Sequence, residues 1–289
     1  MSNHPVRVGI DLGGSSVKAA VRHPNNRMET VTSDRYADPS RDDLIHAIRS
    51  CITRLDVAEV NSVGLCLPGK RNGSGTAIEW AANLPALNGW LFQDLIQTAL
   101  GQDTQDFKVV SDADAAAYDY ACSYPVRGRT AAISLGTGVG LCVLDGSSLC
   151  TIGDPSKGTG IGHLGHLDVG RHGSVDRFDA HGSRNTLESY IGASALNDYQ
   201  HDGQLDLAEL GQSDPPISAL IHAFRTVHAI YIPDRIVLLG GVGLALRPLQ
   251  SMIREQVSSQ LTPLNRVEWA LEFGDSSYHA AQGACRLAP

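Results

Sequence analysis

Short apolar runs alternate with amphipathic stretches along the chain, a pattern typical of an α/β protein. Between residues 41 and 56 apolar side chains recur every three or four positions, which predicts an amphipathic helix. Short apolar runs bounded by glycine, proline or acidic residues predict strands. Further helices are predicted at about 90–100, 113–122 and 216–231, with one more after the last strand, and single strands at 62–69, 107–112 and 235–241.

Two glycine-rich turns of the same design interrupt this pattern, IDLGGSSVK at 10–18 and SLGTGVGLC at 134–142. Apolar residues precede and follow each turn, so we expect hairpins at 5–22 and 130–150, whereas a turn that opened a helix would indicate a dinucleotide or P-loop site. Glycine permits positive φ and lets a ligand approach bare N–H groups, which suits phosphate. Hairpins also use glycine for conformation alone. The repetition nevertheless predicts two related α/β lobes with a cleft between them.

The segment 153–188 breaks the pattern because it is rich in Gly, His, Asp and Ser and poor in apolar runs. We expect a loop-rich insertion that lies over a ligand site, since long segments of this kind in compact domains are functional or disordered.

Composition narrows the class of protein. The 289 residues carry a formal net charge of −8, which argues against a nucleic-acid partner and against an anionic membrane. There is no run of 18 apolar residues and no N-terminal targeting pattern, so we expect no membrane association and a cytoplasmic location. The six cysteines form no C-x-x-C pair and are expected to be reduced, small, buried side chains.

Nine segments spanning residues 8–287 resemble, in order and spacing, the ROK sugar kinases, glucokinase-like bacterial members of the actin and hexokinase superfamily. They are GIDLGGSSVKAAV, GLCLPG, NLPALNGW, VVSDADAAAYDYA, ISLGTGVGLCVLDG, GIGHLGHLDV, HGSRNTLESYIGASAL, IVLLGGVGLAL and AAQGACRLA.

The resemblance implies an α/β fold of two duplicated ribonuclease H-like lobes, the actin-like ATPase architecture, with an interlobe cleft. The N-terminal lobe is expected over 1–112 and the C-terminal lobe over 113–289, with the final helix, at about 276–289, packed on the first lobe. The implied activity is transfer of the γ-phosphate of ATP to a hydroxyl, the 6-OH, of a hexose or hexose derivative. The implied ligands are a small-molecule sugar, ATP and Mg²⁺, and the implied assembly is a homodimer.

The resemblance also assigns residues to the phosphate donor. Asp11 is implied to hold Mg²⁺, in part through water, although an aspartate at a hairpin turn also caps its own backbone. The implied phosphate and ATP contacts are Gly13, Gly14, Ser15, Ser16 and Lys18 in the first hairpin, Gly136, Thr137 and Gly138 in the second turn, and Gly240 and Gly241 near the adenosine.

Asp112 is implied to be the general base that takes the proton from the sugar hydroxyl, with a helix N-cap as its alternative role. Asp114, two residues on, is the less favoured base. The residues implied to bind the sugar are Asn83, Ser111, Asp112, His163, His166 and Glu188.

Three departures from the family pattern put the substrate in doubt. Ser111 replaces an asparagine and leaves a gap in the sugar shell, and His163 replaces a glutamate. The zinc cysteines of the family are all replaced, which leaves His166, Asp179, His181 and Thr186 at those positions, with His163 and His172 nearby. Threonine is a poor zinc ligand, so no zinc is expected, although a His/Asp site is conceivable.

Three alternative functions stay open beside the kinase. A sugar-sensing repressor is disfavoured, because such relatives carry a helix-turn-helix domain ahead of a hairpin that here starts within ten residues of Met1. A catalytically altered paralogue could bind sugar or nucleotide without turnover. A kinase could also use polyphosphate as its donor.

Overall fold

The computed structural model describes residues 6–23, 25–57, 59–101, 106–151, 163–198, 206–265 and 268–289. The first part of the chain forms β1 (Arg7–Leu12), β2 (Val17–Arg22), β3 (Met28–Thr32), α1 (Arg41–Arg54), β4 (Ser62–Cys66), β5 (Lys70–Arg71), β6 (Ile78–Trp80), α2 (Phe92–Leu100), β7 (Phe107–Val110) and α3 (Asp112–Ser123). The remainder forms β8 (Arg129–Leu135), β9 (Val139–Asp145), β10 (Ser148–Cys150), α4 (Glu188–Ile191), α5 (Ala193–Asp198), α6 (Pro215–Tyr231), β11 (Arg235–Leu239), α7 (Gly240–Ala245), α8 (Gln250–Gln260), β12 (Ala270–Phe273) and α9 (His279–Leu287).

These elements form two compact units. The first contains the described residues up to 123 together with 278–289, and the second contains 124–150 and 163–277. The division differs from the sequence-based boundary at 112, because α3 lies in the first unit and the second unit is inserted between α3 and α9. In the described part of the chain, no helix is long and apolar enough to cross a membrane.

The first unit is built on a five-stranded sheet in the order β3-β2-β1-β4-β7. Strand β2 runs antiparallel to both of its neighbours, β1 and β3, whereas β4 and β7 run parallel to β1. Helix α1 begins with a capping box between Ser40 and Asp43 and buries Leu44, Ile45 and Ile48. This helix and α2 contribute to one hydrophobic core with the sheet, as their apolar periodicity predicts.

Helix α9 contacts the sheet and α3 at positions where only glycine fits. A Cβ at Gly9 would lie 2.0 Å from the carbonyl oxygen of Ala281, and one at Gly64 would lie 1.9 Å from that of Ala284. On α9 itself, a Cβ at Gly283 would lie 1.8 Å from the carbonyl oxygen of Ala115. The backbones of β1, β4, α3 and α9 therefore pack with no side chain between them at these points.

The second unit repeats the sheet of the first, in the order β10-β9-β8-β11-β12. Its first three strands are again antiparallel and its last two parallel to β8. Helix α6 buries Leu220, Phe224 and Val227 in the core of this unit. The predicted duplicated α/β architecture is confirmed by this shared strand order.

Four predicted element boundaries need correction. Strand β7 ends at Val110, two residues before its predicted end at 112. Helix α3 begins at Asp112, one residue before its predicted start at 113. Strand β11 ends at Leu239 because Gly240 begins α7 with a φ of +79°. Strand β4 likewise ends at Cys66 rather than 69.

The predicted loop-rich insertion lies partly outside the described residues, which omit 152–162. From 163 to 187 it contains one short 3-10 turn, Leu164–His166, and isolated bridges such as the one between Asp168 and Thr186. Of the six free cysteines, Cys122 is exposed and Cys150 is partly buried, so the expectation of buried thiols holds for the other four.

Candidate active site

The first glycine turn joins β1 to β2 through four residues, since Leu12 pairs with Val17. The backbone N–H of Gly13 donates to the carbonyl of Ser16 at 3.1 Å and closes the turn. Gly13 and Gly14 are not among the glycines with positive φ, so the turn does not need them for that conformation. Without side chains, these two glycines leave the backbone of the turn uncovered.

The segment that follows β3 forms hydrogen bonds with the backbone of this turn. Tyr36 donates its hydroxyl to the carbonyl of Gly13 at 2.6 Å, and its N–H donates to the carbonyl of Ser15 at 3.0 Å. The Ser33 hydroxyl accepts from the N–H of Val17 at 2.9 Å. Tyr36 is not among the predicted site residues, because nothing in SDRYAD indicates a contact with a turn about 20 residues earlier.

Charged side chains gather at the same end of the sheet. Asp11 on β1 pairs in register with Lys18 on β2, and Lys18 pairs with Thr32 on β3. Burial, together with the negative charge of Asp112, raises the pKa of Asp11 to about 7, while Lys18 acts in the opposite direction. The structure therefore brings Asp11, Lys18 and Asp112 into one electrostatic cluster.

Asp112 is the first residue of α3, and Ser111 caps that helix. The Ser111 hydroxyl accepts from the N–H of Asp114 at 3.1 Å, and its carbonyl accepts from the N–H of Ala115 at 3.0 Å. The alternative role of Asp112 as N-cap is thus taken by Ser111. One Asp112 oxygen accepts from the N–H of Ala113 at 2.8 Å, so the start of α3 stabilises the ionised carboxylate.

The thiol of Cys66 is buried close to three acidic side chains. Burial raises its pKa well above the usual value, and Asp11, Asp112 and Asp114 each raise it further. Arg71 lies near Asp114, where burial lowers the pKa of the guanidinium and the carboxylate opposes that shift. A neutral thiol therefore sits among three acids, with Arg71 and Lys18 as nearby cations.

Tyr278, directly before α9, completes this end of the first unit. Its hydroxyl accepts from the Thr32 hydroxyl at 2.8 Å, and the Lys18 ammonium lies 5.8 Å from the centre of its ring. Tyr278 is likewise not among the predicted site residues, because about 260 residues separate it from Lys18.

Asn83 lies in the same unit, in the loop between β6 and α2. Leu84, next to it, is fully buried, and the 3-10 turn Pro85–Leu87 follows. Arg41 of α1 holds this loop by donating to the carbonyls of Ala86 and Asn88, both at 2.9 Å. The loop that carries Asn83 is therefore anchored on the C-terminal side of this residue.

The second glycine turn joins β8 to β9 through three residues, Gly136, Thr137 and Gly138. The N–H of Gly136 donates to the carbonyl of Gly138 at 3.0 Å, and a Cβ at Gly136 would meet no atom within 4 Å. None of these residues has positive φ in the described structure. As in the first turn, glycine is not needed here for an unusual conformation, and at Gly136 it leaves open space.

Glu188, at the start of α4, supports this turn. One carboxylate oxygen accepts from the N–H of Val139 at 3.0 Å. The carbonyl of Gly136 accepts from the N–H of Ala193 at 2.9 Å, at the start of α5. Gly240 lies against the same hairpin, because a Cβ there would be 2.4 Å from the carbonyl oxygen of Leu135. Glu188, Gly240 and the second turn thus form one cluster in the second unit.

Three histidines lie beside Glu188. The ring centres of His163 and His166 are 5.9 Å apart, and those of His166 and His181 are 4.6 Å apart. A Cβ at Gly165 would be 3.0 Å from a Glu188 oxygen, which places the His163–His166 turn against that carboxylate. Burial lowers the pKa of His181, and so does His166, whereas Asp179 and Glu188 raise it.

Asp179 organises the loop that carries His181. Its carboxylate accepts from the Thr186 hydroxyl at 2.8 Å and from the N–H groups of His181 and Ser183, both at 2.9 Å. Burial opposes ionisation, but these hydrogen bonds outweigh it, so the pKa of Asp179 lies below its usual value. His166 lies 3.9 Å from this carboxylate.

His172 belongs to a different set of contacts. Its Nδ1 lies 2.8 Å from the Ser218 hydroxyl and its Nε2 lies 2.9 Å from the carbonyl of Val169. The four residues at the positions of the family's zinc ligands lie together, but within the described residues no group of three His, Cys, Asp or Glu side chains could hold a metal ion.

A family model for the ROK family matches residues 7–289. The chain belongs to the ROK family. Its sequence is 24% identical over 292 residues to the glucokinase of Thermotoga maritima, covering 89% of this chain and 88% of that protein. The family resemblance carried by the nine segments is therefore confirmed.

Solved ROK structures share the fold of this protein. The ROK glucokinase from Streptomyces griseus, solved with glucose and AMPPNP, superposes with a TM-score of 0.75 at 19% identity, covering 98% of this chain and 99% of that one. The inorganic polyphosphate/ATP-glucomannokinase from Arthrobacter sp. strain KM gives 0.63 at 20% identity, with 98% of each chain covered. This ROK protein therefore has the actin-like ATPase fold.

Proposed function

We propose that the protein is an ATP-dependent sugar kinase that transfers the γ-phosphate to a hydroxyl, the 6-OH, of a hexose or hexose derivative. The observation that carries the proposal is the cluster of Asp11, Lys18 and Asp112 at the first glycine turn, in a chain of the ROK family. The curated relative is named a glucokinase, and the Streptomyces structure holds glucose and an ATP analogue. We infer the same classes of substrate here.

Asp112 is proposed as the general base. Its carboxylate accepts the proton of the attacking hydroxyl, which becomes acidic as the new O–P bond forms. The N–H of Ala113, at the start of α3, donates to one oxygen of this carboxylate at 2.8 Å and orients it. Phosphoryl transfer needs positioning and charge neutralisation more than covalent help, so a single well-placed base is sufficient.

Asp11 is proposed to hold Mg²⁺, in part through water. The residues present fit a divalent cation, because Asp11 is partly desolvated beside a second carboxylate and its pKa is raised to about 7. When bound, Mg²⁺ would neutralise charge on the phosphate oxygens of ATP. Lys18, in register with Asp11, adds a fixed positive charge for the same oxygens.

The glycine turns are proposed to bind the phosphates of the donor. In the first, the donors are the backbone N–H groups of Gly13 and Gly14 and the hydroxyls of Ser15 and Ser16. In the second, they are Gly136, Thr137 and Gly138, with open space around Gly136. Gly240 and Gly241, packed beside the second turn, are proposed to lie near the adenosine.

The proposed sugar-binding residues fall in both units. Asn83, Ser111 and Asp112 belong to the first, and His163, His166 and Glu188 to the second. The Ser111 hydroxyl is engaged as a helix cap and Glu188 supports Val139, so each would have to serve the sugar with its remaining lone pairs. Cytoplasmic location and a homodimer stay predictions.

An ADP-release assay with Mg·ATP against hexoses, amino sugars and N-acetylated sugars tests this proposal. We expect turnover on at least one sugar, and Asp112→Asn should lower kcat by about 10²- to 10⁴-fold. Asp114→Asn is the matched control, since it neutralises the neighbouring acid in the same helical turn, and should stay within about threefold of wild type. Equal rates for Asp112→Asn and wild type would remove Asp112 as the base.

Measurement of the sugar phosphate formed separates the alternatives, because transfer from polyphosphate releases no ADP. Formation of this product with polyphosphate in place of ATP would identify polyphosphate as a donor, as for the inorganic polyphosphate/ATP-glucomannokinase of Arthrobacter. Sugar binding by calorimetry without turnover on any donor would support the non-catalytic paralogue.

A further inference from the structure

A buried carboxylate outside the proposed active site connects α3 to α9. Asp119 lies on α3 seven residues after Asp112, two helical turns away and on the same face. Only 2% of its side chain is exposed. It accepts from Nδ1 of His279 at 2.7 Å and from Nε of Arg286 at 2.6 Å.

The two partners of Asp119 hold α9 at both ends. His279 is the first residue of α9 and Arg286 lies seven residues later, again two turns away on one face. One carboxylate therefore contacts the first and the last turn of this helix. His279 is as deeply buried as Asp119, whereas a quarter of the Arg286 side chain is exposed.

Small side chains form the closest contacts between α3 and α9. Ala115 and Ala284 pack together beside Gly283, and Gly283 touches the backbone of α3. The Tyr120 ring of α3 packs edge-on against the ring of His279, with ring centres 6.4 Å apart. Small residues allow close approach, but by themselves they do not fix how far one helix slides along the other. Buried polar groups can fix such a register, at some cost in stability.

The position of α9 is in turn fixed on β1 and β4. The glycine contacts at Gly9 and Gly64 leave α9 no room to move toward the sheet. Strand β1 carries Asp11 and α3 begins with Asp112, so α9 determines how these two carboxylates sit relative to each other within the first unit.

We propose that Asp119, His279 and Arg286 form a positioning network for Asp112. The proposal rests on the proposed function, in which Asp112 is the base. These residues are not catalytic, because Asp119 lies about 10 Å along the helix from Asp112. Their role is to hold the α3 register, since a displacement of about 1 Å at a reacting group can cost about 100-fold in rate.

Asp119→Asn tests the network with little change in volume. The amide places an N–H₂ against a donor of Arg286 or His279, so the register is weakened. We expect kcat to fall about 10- to 100-fold, while KM for sugar and for ATP stays within about threefold. Asp234→Asn is the matched control, since Asp234 accepts from the N–H of Arg129 at 2.7 Å in the second unit, and its kcat should not change.

A double variant separates positioning from general loss of structure. If Asp119 acts through Asp112, adding Asp119→Asn to Asp112→Asn should slow turnover by less than about threefold, because effects on one shared step are not additive. A full 10- to 100-fold further loss in the double variant overturns the proposal. An unchanged kcat in Asp119→Asn overturns it as well.

Two measurements keep the test decisive. Arg286→Met, at the more exposed partner, should fold even where Asp119→Asn does not, and should lower kcat about tenfold, with Arg286→Lys closer to wild type. Amide hydrogen exchange measures the stability of the first turn of α3 and does not depend on turnover. Protection at Asp114 and Ala115 should fall at least about tenfold in Asp119→Asn or Arg286→Met but not in Asp234→Asn. Unchanged protection overturns the network even in a protein that phosphorylates no sugar.

Discussion

The two glycine turns are alike in sequence but differ in what surrounds them. The first lies among ionisable side chains, with Asp11, Lys18 and Asp112 close by and Tyr36 hydrogen-bonded to its backbone. The second is held by one carboxylate, Glu188, and by contacts between backbone groups. Under the proposed function, the two turns would therefore have different tasks, charge neutralisation in the first unit and backbone binding of phosphate in the second.

The buried histidines of the two units show a related contrast. His279 in the first unit is hydrogen-bonded to Asp119. His228 in the second unit is fully buried against Trp269, and neither of its ring nitrogens has a hydrogen-bond partner among the described residues. The buried histidine of the first unit is thus paired with a carboxylate, whereas His228 in the second is buried without one, and burial favours its neutral form.

Removal of the acid at the first turn should have the largest effect. We expect Asp11→Asn to lower kcat at least about 100-fold at any Mg²⁺ concentration, because the carboxylate that holds the cation is lost. The same change should raise the free energy of unfolding of the metal-free protein by about 1–3 kcal/mol at pH 8, since it removes a desolvated charge beside Asp112. Urea denaturation and steady-state kinetics measure both. A variant that is both active and less stable would contradict the assignment of charge to this turn.

Acid should destabilise the second unit through His228. Burial lowers its pKa to about 4 in the native state, against about 6.5 in the unfolded chain. The unfolded state then binds a proton that the native state does not, so stability falls as the pH drops from 6.5 toward 4, by up to about 1.4 kcal/mol per pH unit.

His228→Leu should remove this dependence of the free energy of unfolding on pH. The free energy of unfolding of the variant, relative to that of wild type, should be about 2 kcal/mol higher at pH 5 than at pH 7.5. Denaturation curves at several pH values give the comparison. Parallel pH profiles for the two proteins would show that His228 does not titrate as its burial indicates.

Loss of Glu188 should weaken the second turn. In Glu188→Ala the N–H of Val139 loses its acceptor, and we expect KM for ATP to rise about tenfold. Glu188→Gln keeps an acceptor oxygen and should change KM for ATP by less than about threefold. If KM for the sugar rises in both variants and KM for ATP in neither, Glu188 serves the sugar alone.

The smallest expected effect is at the support of the first turn. Tyr36→Phe removes one hydrogen bond to the carbonyl of Gly13 but keeps the ring, so it should cost about 1 kcal/mol and raise KM for ATP about fivefold. Among the described residues, no tyrosine hydroxyl donates to the backbone of the second turn, and Tyr190→Phe in the second unit is a suitable control. Equal effects of the two substitutions on KM for ATP would contradict the special role of Tyr36.

The sequence predicted the order of elements and the duplication because both rest on local signals. Apolar runs and glycine turns mark strands wherever they occur, and the family segments fix their order. The start of α3 was also within reach, since Ser111 followed three residues later by Asp114 has the spacing of an N-terminal cap. The resemblance alone led to the interpretation of Ser111 as a gap in the sugar shell.

Contacts between distant residues could not be predicted in this way. Glu188 accepts from Val139 across 49 residues, and Asp119 contacts His279 across 160. Neither pair lies on one element, so no periodicity joins them. The backbone conformation of the turn glycines could not be predicted from the sequence either. Glycine occurs both where φ is positive and where another group approaches the backbone closely, and the sequence does not distinguish the two.

The order of the elements along the chain has a consequence for synthesis. The core of the first unit includes Ala281, Ala284 and Cys285, which the ribosome adds only after the whole second unit. The sheet of the first unit therefore waits with Gly9 and Gly64 uncovered while about 150 residues are made, and the second unit has the earlier opportunity to fold. A chaperone that shields β1 and β4 during this interval would act on the face that later receives α9.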